Sequence, residues 1–152
     1  MRVCFILSTR GAIYDGPSRA RVEQEAQARG PGKTVVFCGA MSHAQVVNEL
    51  TCADVFLFPS AYESFGVAVL EAMAAGVPVI ASDLPALREA TGGHAILLPD
   101  DTNAWIQAAR ELLTDEARRL ALAHAGREWA AAYTWECKVT QLEEYLEQAR
   151  KQ

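Results

Sequence analysis

The sequence is short of several things at once, and each shortage excludes a class of protein. None of its apolar runs approaches the roughly 18–20 residues a helix needs to cross a bilayer. The opening MRVCFILSTR has one Arg and a brief apolar stretch. That stretch is shorter than the roughly 7–15-residue core of a secretion signal and has no small-residue cleavage site. Positive charge is also scarce: 14 Lys and Arg against 19 Asp and Glu give a net charge of −5. A chain that wraps nucleic acid needs a basic face to neutralise phosphates, so nucleic acid is not an expected partner. There are 4 Cys, at positions 4, 38, 52 and 137, with no C-x-x-C pair and no His at zinc-ligand spacing. They are expected to be core-filling thiols of a reducing compartment. Together these absences point to a cytoplasmic protein without a transmembrane segment.

What is present is ordinary globular material. Of 152 residues, 51% are hydrophobic and 22% charged, enough for one domain with a buried core and too little for two. No internal repeat, linker or low-complexity stretch divides it, so residues 1–152 are expected to form a single domain.

Short β-branched and aromatic runs alternate with helical stretches, the pattern of a parallel α/β sheet. The runs are Val3–Leu7, Thr34–Cys38, Asp54–Phe58, Pro78–Ala81 and Ala95–Leu98. They lack polar alternation, as strands do when helices cover both faces of the sheet. The fold class is therefore α/β: an open, mostly parallel, five-stranded Rossmann-like sheet in the order 2-1-3-4-5. Gly30-Pro31-Gly32 would end a first helix near Arg29, Ser42-His43-Ala44-Gln45 has capping-box spacing, and Gly76 before Pro78 would end a third helix. After Leu98 the chain turns almost wholly helical. Trp105, Ala109 and Leu112 share one helix face, and Trp135, Val139, Leu142 and Leu146 share another. Thr134 is placed to cap the last helix. Trp129, Tyr133 and Trp135 are expected to pack on the sheet.

The chemistry is concentrated between Asp54 and Asp83, DVFLFPSAYESFGVAVLEAMAAGVPVIASD, which reads strand, loop, helix, glycine stop, strand. Ligands of open parallel sheets sit beyond the carboxyl ends of the strands, where the loop Pro59–Phe65 falls. A helix starting at Gly66 would direct free N–H groups into that space, and such an end accepts an anion, typically phosphate. Glu71 is the one charged residue in an otherwise apolar helix, and a buried carboxylate is costly unless something satisfies it. Glu63 precedes the same helix, so both carboxylates can face one pocket and accept hydrogen bonds from ribose or sugar hydroxyls. Alternatively, Glu71 pairs with a buried Arg or backbone amides and Glu63 is merely solvated. Asp54 and the Arg88-Glu89 pair are read as local bonding partners. His43, His94 and His124 have no partners at ligand spacing.

An ordered series of segments resembles the carboxyl-terminal domain of retaining, nucleotide-sugar-dependent glycosyltransferases of family four, or group 1, which have the two-domain GT-B fold. These are Val35-Val36-Phe37-Cys38-Gly39 with Ser42, Ala53-Asp54-Val55-Phe56 through Pro59-Ser60, and Glu63-Ser64-Phe65-Gly66 through Glu71-Ala72-Met73-Ala74-Ala75-Gly76 to Ser82. Arg88-Glu89 and Tyr133-Thr134-Trp135 continue the series. The resemblance implies that Glu63, the first Glu of an E-x7-E motif, lies at the donor sugar as the catalytic-site carboxylate. It implies that Glu71 accepts from the ribose hydroxyls. Backbone amides around Phe65, Gly66 and Val67 would receive the diphosphate or sugar, Ser64 would belong to the same donor site, and Gly39, Ala40 and Met41 would lie against the base. No metal or other cofactor is implied, and nothing resembles an Asp-x-Asp metal site.

The family pattern is incomplete here. A Gly-Arg-Leu strand end and a Lys-Gly helix start, whose Arg and Lys stabilise the leaving diphosphate, have no counterpart; Arg10 and Lys33 lie in other contexts. An acceptor-binding amino-terminal domain is likewise missing. The expected function is thus sugar transfer from a nucleotide-diphosphate donor, with this chain supplying the donor half-site of an enzyme that works in the cytoplasm or peripherally on a membrane. The alternative is a non-catalytic nucleotide-sugar-binding subunit, or an interaction domain, needing a partner chain. Sugar, base and acceptor are not specified by these residues.

Overall fold

The structure, a computed structural model, describes residues 3–5, 20–21, 24–25, 27–28 and 38–150. Its sheet is parallel, with strands β1 (Val3–Phe5), β2 (Val55–Phe58), β3 (Val79–Ser82) and β4 (Ile96–Leu98) in the order β1-β2-β3-β4. Val3 lies opposite Val55, Phe56 opposite Val79, and Ile80 opposite Ile96. The expected pairing of the first run with Asp54–Phe58 is therefore present. Among the described residues the sheet has four strands, not five. The expected strand Thr34–Cys38 lies outside them except for Cys38, which is in no strand. The end of the first helix near Arg29 also lies outside them, although residues 20–21, 24–25 and 27–28 are helical.

Both faces of the sheet are covered, which is why its strands need no polar alternation. Side chains of a strand point alternately to either side. Phe56, Phe58, Val79 and Ala81 join Leu50, Val69, Leu70, Met73 and Leu87 in one cluster. Val55, Leu57 and Ile80 meet Ala108 and Leu112 in the other.

Helix α1 (His43–Thr51) begins with the expected capping box: Ser42 and Gln45 bond reciprocally, side chain to backbone. Helix α2 (Val67–Ala74) buries Val69, Leu70, Ala72 and Met73. It closes through Gly76, whose N–H donates to the Met73 carbonyl at 2.9 Å. Helix α3 (Pro85–Thr91) starts on proline, whose missing N–H would have had no helical partner anyway. Asp101 caps α4 (Thr102–Thr114) and Asp115 caps α5 (Glu116–Ala130). On α4 the expected face is the packed one, with Leu112 buried and Trp105 and Ala109 half-buried against the sheet.

Helix α6 (Trp135–Arg150) is capped by Thr134, whose Oγ1 accepts from the Cys137 N–H at 3.2 Å. It has no buried residue, and Trp135 is 84% exposed. Its apolar face is real but uncovered, so the expected packing of Trp135 on the sheet is corrected. Trp129 and Tyr133 do pack, against helices: the Trp129 indole donates to the Ala90 carbonyl at 2.8 Å, and its ring meets Tyr133. The thiols also differ from expectation. Cys38, Cys52 and Cys137 are exposed and free, because they sit in a loop, at a helix end and on the uncovered α6. No helix among the described residues is long and apolar enough to cross a membrane.

Candidate functional site

The loop from Pro59 to Gly66 leaves the carboxyl end of β2 and is pinned there by side-chain bonds. The Ser60 N–H donates to Ser82 Oγ, at the end of β3, at 2.9 Å. The Ser60 hydroxyl donates to the Tyr62 carbonyl at 2.8 Å. The loop is thereby tied to two adjacent strand ends, where an open sheet places its ligands.

Gly66 turns the loop into α2. Its φ of 92° is a left-handed conformation that L side chains rarely adopt. A Cβ there would also stand 2.6 Å from Leu87 Cδ2 of α3, so both the turn and the packing demand glycine. No side chain caps α2, and the first N–H groups of a helix have no intrahelical acceptor. The end of α2 therefore presents donors and the positive pole of the helix to whatever binds.

The predicted residues fall into two neighbouring groups. Glu63, half-buried, lies against Gly66, its Cγ 4.0 Å from where a Cβ would stand. Its Oε1 accepts from the Ser64 N–H at 3.2 Å. Ser64 is exposed, as are Phe65 (47%) and Val67 (57%), while Gly66 is buried. The Phe65 ring meets Tyr133 edge-on at 6.3 Å between centroids.

The second group centres on Glu71. The sequence suggested a buried carboxylate, but the Glu71 side chain is 36% exposed. Helix α2 is covered on the side of Val69, Leu70, Ala72 and Met73 and open along Val67 and Glu71, one turn apart. No desolvation penalty therefore has to be relieved by a buried partner. Its neighbour is a residue that sequence reasoning set aside: His43 Nδ1 lies 3.6 Å from Glu71 Oε1, closer than charges separated by water but longer than a hydrogen bond. His43 is the first residue of α1 and follows Gly39, Ala40 and Met41, of which Gly39 and Ala40 are exposed and Met41 half-buried. The structure thus brings the start of α1, which that loop enters, to Glu71. No spacing rule could have found the pair, because it joins two helices across an intervening strand.

The remaining candidates are local. Arg88 bonds both carboxylate oxygens of Asp83, at 2.5 and 2.7 Å. Those bonds hold the Asp83 carboxyl below its usual range. Glu89 offers its carbonyl to the Tyr133 hydroxyl at 3.3 Å. A depression of about 300 Å³ opens on the α4 side between Pro59, Asp100, Thr102 and Trp105, and it contains none of the predicted site residues.

Sequence and structure comparisons agree on what this arrangement is similar to. The profile of the family described as glycosyl transferases group 1 matches residues 7–129. A D-inositol 3-phosphate glycosyltransferase of Corynebacterium urealyticum is 37% identical over 144 residues, covering 89% of this chain and 34% of that protein. Sucrose-phosphate synthase from Thermosynechococcus elongatus superposes with a TM-score of 0.75 at 32% identity, over 98% of this chain and 38% of its own. The carboxyl-terminal domain of a group 1 glycosyl transferase from Francisella tularensis superposes with a TM-score of 0.68, over 80% of this chain and 65% of that one. At 23% identity, the last likeness concerns the fold alone. The chain spans about a third of the length of the curated relatives it matches.

Proposed function

The chain belongs to the group 1 glycosyl transferases, and from that premise we propose that it forms the donor-binding half-site of a retaining transfer from a nucleotide-diphosphate sugar. The observation that carries this reading is the uncapped start of α2, with Glu63 at its Gly66 and Glu71 half-open one turn further on. Amides of Phe65, Gly66 and Val67 meet the diphosphate, an anion suited to a helix amino end, while the Ser64 N–H, beside them, is engaged by Glu63. Glu71 accepts hydrogen bonds from the ribose hydroxyls, Gly39–Met41 lie along the base, and Glu63 faces the donor sugar.

In such a site the chain's own groups bind and orient. Phosphate charge is met by backbone donors already fixed in place, so little reorganisation accompanies charge build-up on the leaving group. The carboxylates select hydroxyl-bearing ligands without attracting the phosphates themselves. The cationic clamp on the leaving diphosphate and the acceptor-binding half come from outside the residues placed here. Catalysis therefore needs the rest of a longer protein or a partner chain.

Calorimetry with UDP, GDP and ADP tests the reading. The expected outcome is weak binding of at least one nucleotide, with no turnover of its sugar conjugates by this chain alone. Glu71→Gln keeps the shape but weakens acceptance from two hydroxyls, and is expected to lower affinity about 5–12-fold, the difference between a hydrogen bond to a charged acceptor and one to a neutral acceptor. Equal affinities for the two proteins would remove Glu71 from the ribose. Vigorous transfer by the chain alone would overturn the half-site.

A further inference from the structure

Glu71 has three rotatable bonds and an open side, so holding its carboxylate in one place for a ligand has an entropic cost. A group already beside it would reduce that cost. His43 is such a group. Its Nδ1 stands 3.6 Å from Glu71 Oε1, and its backbone is fixed as the first residue of α1 by the Ser42–Gln45 capping box, in which the Ser42 N–H donates to Gln45 Oε1 at 2.8 Å. Among the described residues no Lys or Arg reaches the Glu71 carboxylate.

Resting on the donor-site reading above, we propose that His43 is a positioning residue for Glu71: its imidazole holds one carboxylate oxygen and leaves the other free for the ribose hydroxyls of a nucleoside diphosphate. With the imidazole beside it the carboxylate has fewer orientations to give up, so less is lost when a ligand fixes it.

Among the described residues, the charged groups of the neighbouring elements lie elsewhere or are engaged. On α1 the other charged residue is Glu49, near the opposite helix end, and the loop before α2 brings Glu63, which faces Gly66. Of the elements packed on α2, β3 has no titratable group. Helix α3 brings Arg88, engaged by Asp83, and Glu89. Helix α5 brings Arg127, which lies against Gly76 beyond the far end of α2, and the His124–Glu128 pair.

The test is calorimetry with whichever of UDP, GDP and ADP binds the wild-type chain. His43→Asn, His43→Ala, Glu71→Gln and the double variant His43→Ala with Glu71→Gln are measured beside it. Asn places an amide donor near the Nδ1 position, so it can keep the contact that Ala removes.

His43→Ala is expected to bind about two- to fivefold more weakly than the wild type, the range for a solvent-exposed pair, and His43→Asn to recover most of that loss. In the Glu71→Gln background His43→Ala should cost little further. Equal affinities for wild type and His43→Ala, with Glu71→Gln still weakened, overturn the positioning role and leave the donor site standing. A loss on His43→Ala that persists undiminished in Glu71→Gln means the imidazole acts on the ligand directly, and the proposal fails. No heat with any of the three nucleotides overturns the donor site and this inference together.

Discussion

Helices α2 and α6 are both rich in apolar residues, yet one is the most enclosed helix of the domain and the other is bare. Helix α2 is wedged between the sheet, α3 and α5, with Val69, Ala72 and Met73 at 1% exposure or less. Its Met73 lies so close to α5 that a Cβ on Gly126 would stand 3.5 Å from it. Helix α6 carries Trp135, Val139, Leu142 and Leu146 along one side, and every one of them is exposed. Helical spacing dictates which side chains share a face; only the neighbours decide whether that face is covered.

Four substitutions can break or sharpen this contrast. The largest effect belongs to Met73→Ala, which empties space between α2, β3 and α5 and should cost about 2–5 kcal/mol. The same truncation at Leu142 on α6 should stay within about 0.5 kcal/mol. Urea unfolding of both variants reads the difference, and comparable losses would mean that α6 is covered in solution. Next comes Gly66→Ala, expected to cost about 1–3 kcal/mol because φ is left-handed and Leu87 must move. It should also loosen nucleotide binding; a neutral result would show that the entry to α2 is softer than its enclosed middle.

Last comes Arg88→Ala, on the exposed rim of α3, with an effect nearly as small as that at Leu142. The Arg88 bonds lower the Asp83 carboxyl from its ordinary value. A carboxyl depressed in the folded state adds stability above its unfolded value, about 3.9. That stability is lost as pH falls through the depressed value. Arg88→Ala should therefore lower Tm by no more than about 3 °C at neutral pH, and the gap to wild type should close in strong acid. A gap that persists there would assign the loss to packing instead of charge.

Much of the architecture was legible because its signals are local or repetitive. The continuous apolar runs around Val55–Phe58, Val79–Ser82 and Ile96–Leu98 are strands covered on both faces. Ser42, Gly76 and Thr134 punctuate helices through hydrogen bonds to residues within a few positions. The glycine at the start of α2 was readable as a turn, though not its contact with Leu87 from the next helix. Burial was harder. Glu71 was read as enclosed because its helix is apolar, and the exposed cysteines were read as core because thiols usually are. The relation of His43 to Glu71 is not legible in the sequence because it exists only once the start of α1 meets the open side of α2.

The Trp129 and Tyr133 pair also has an order in time. The indole reaches Ala90 across 39 residues and the phenol reaches Glu89 across 44, and the Tyr133 ring then rests against Phe65 at the mouth of the site. During synthesis from the amino end, the loop around Phe65 emerges long before the residues that buttress it. Contacts this distant in sequence form only after the intervening chain has closed on itself. The loop before α2 is thus finished only after α5 has emerged, well after the strand it grows from.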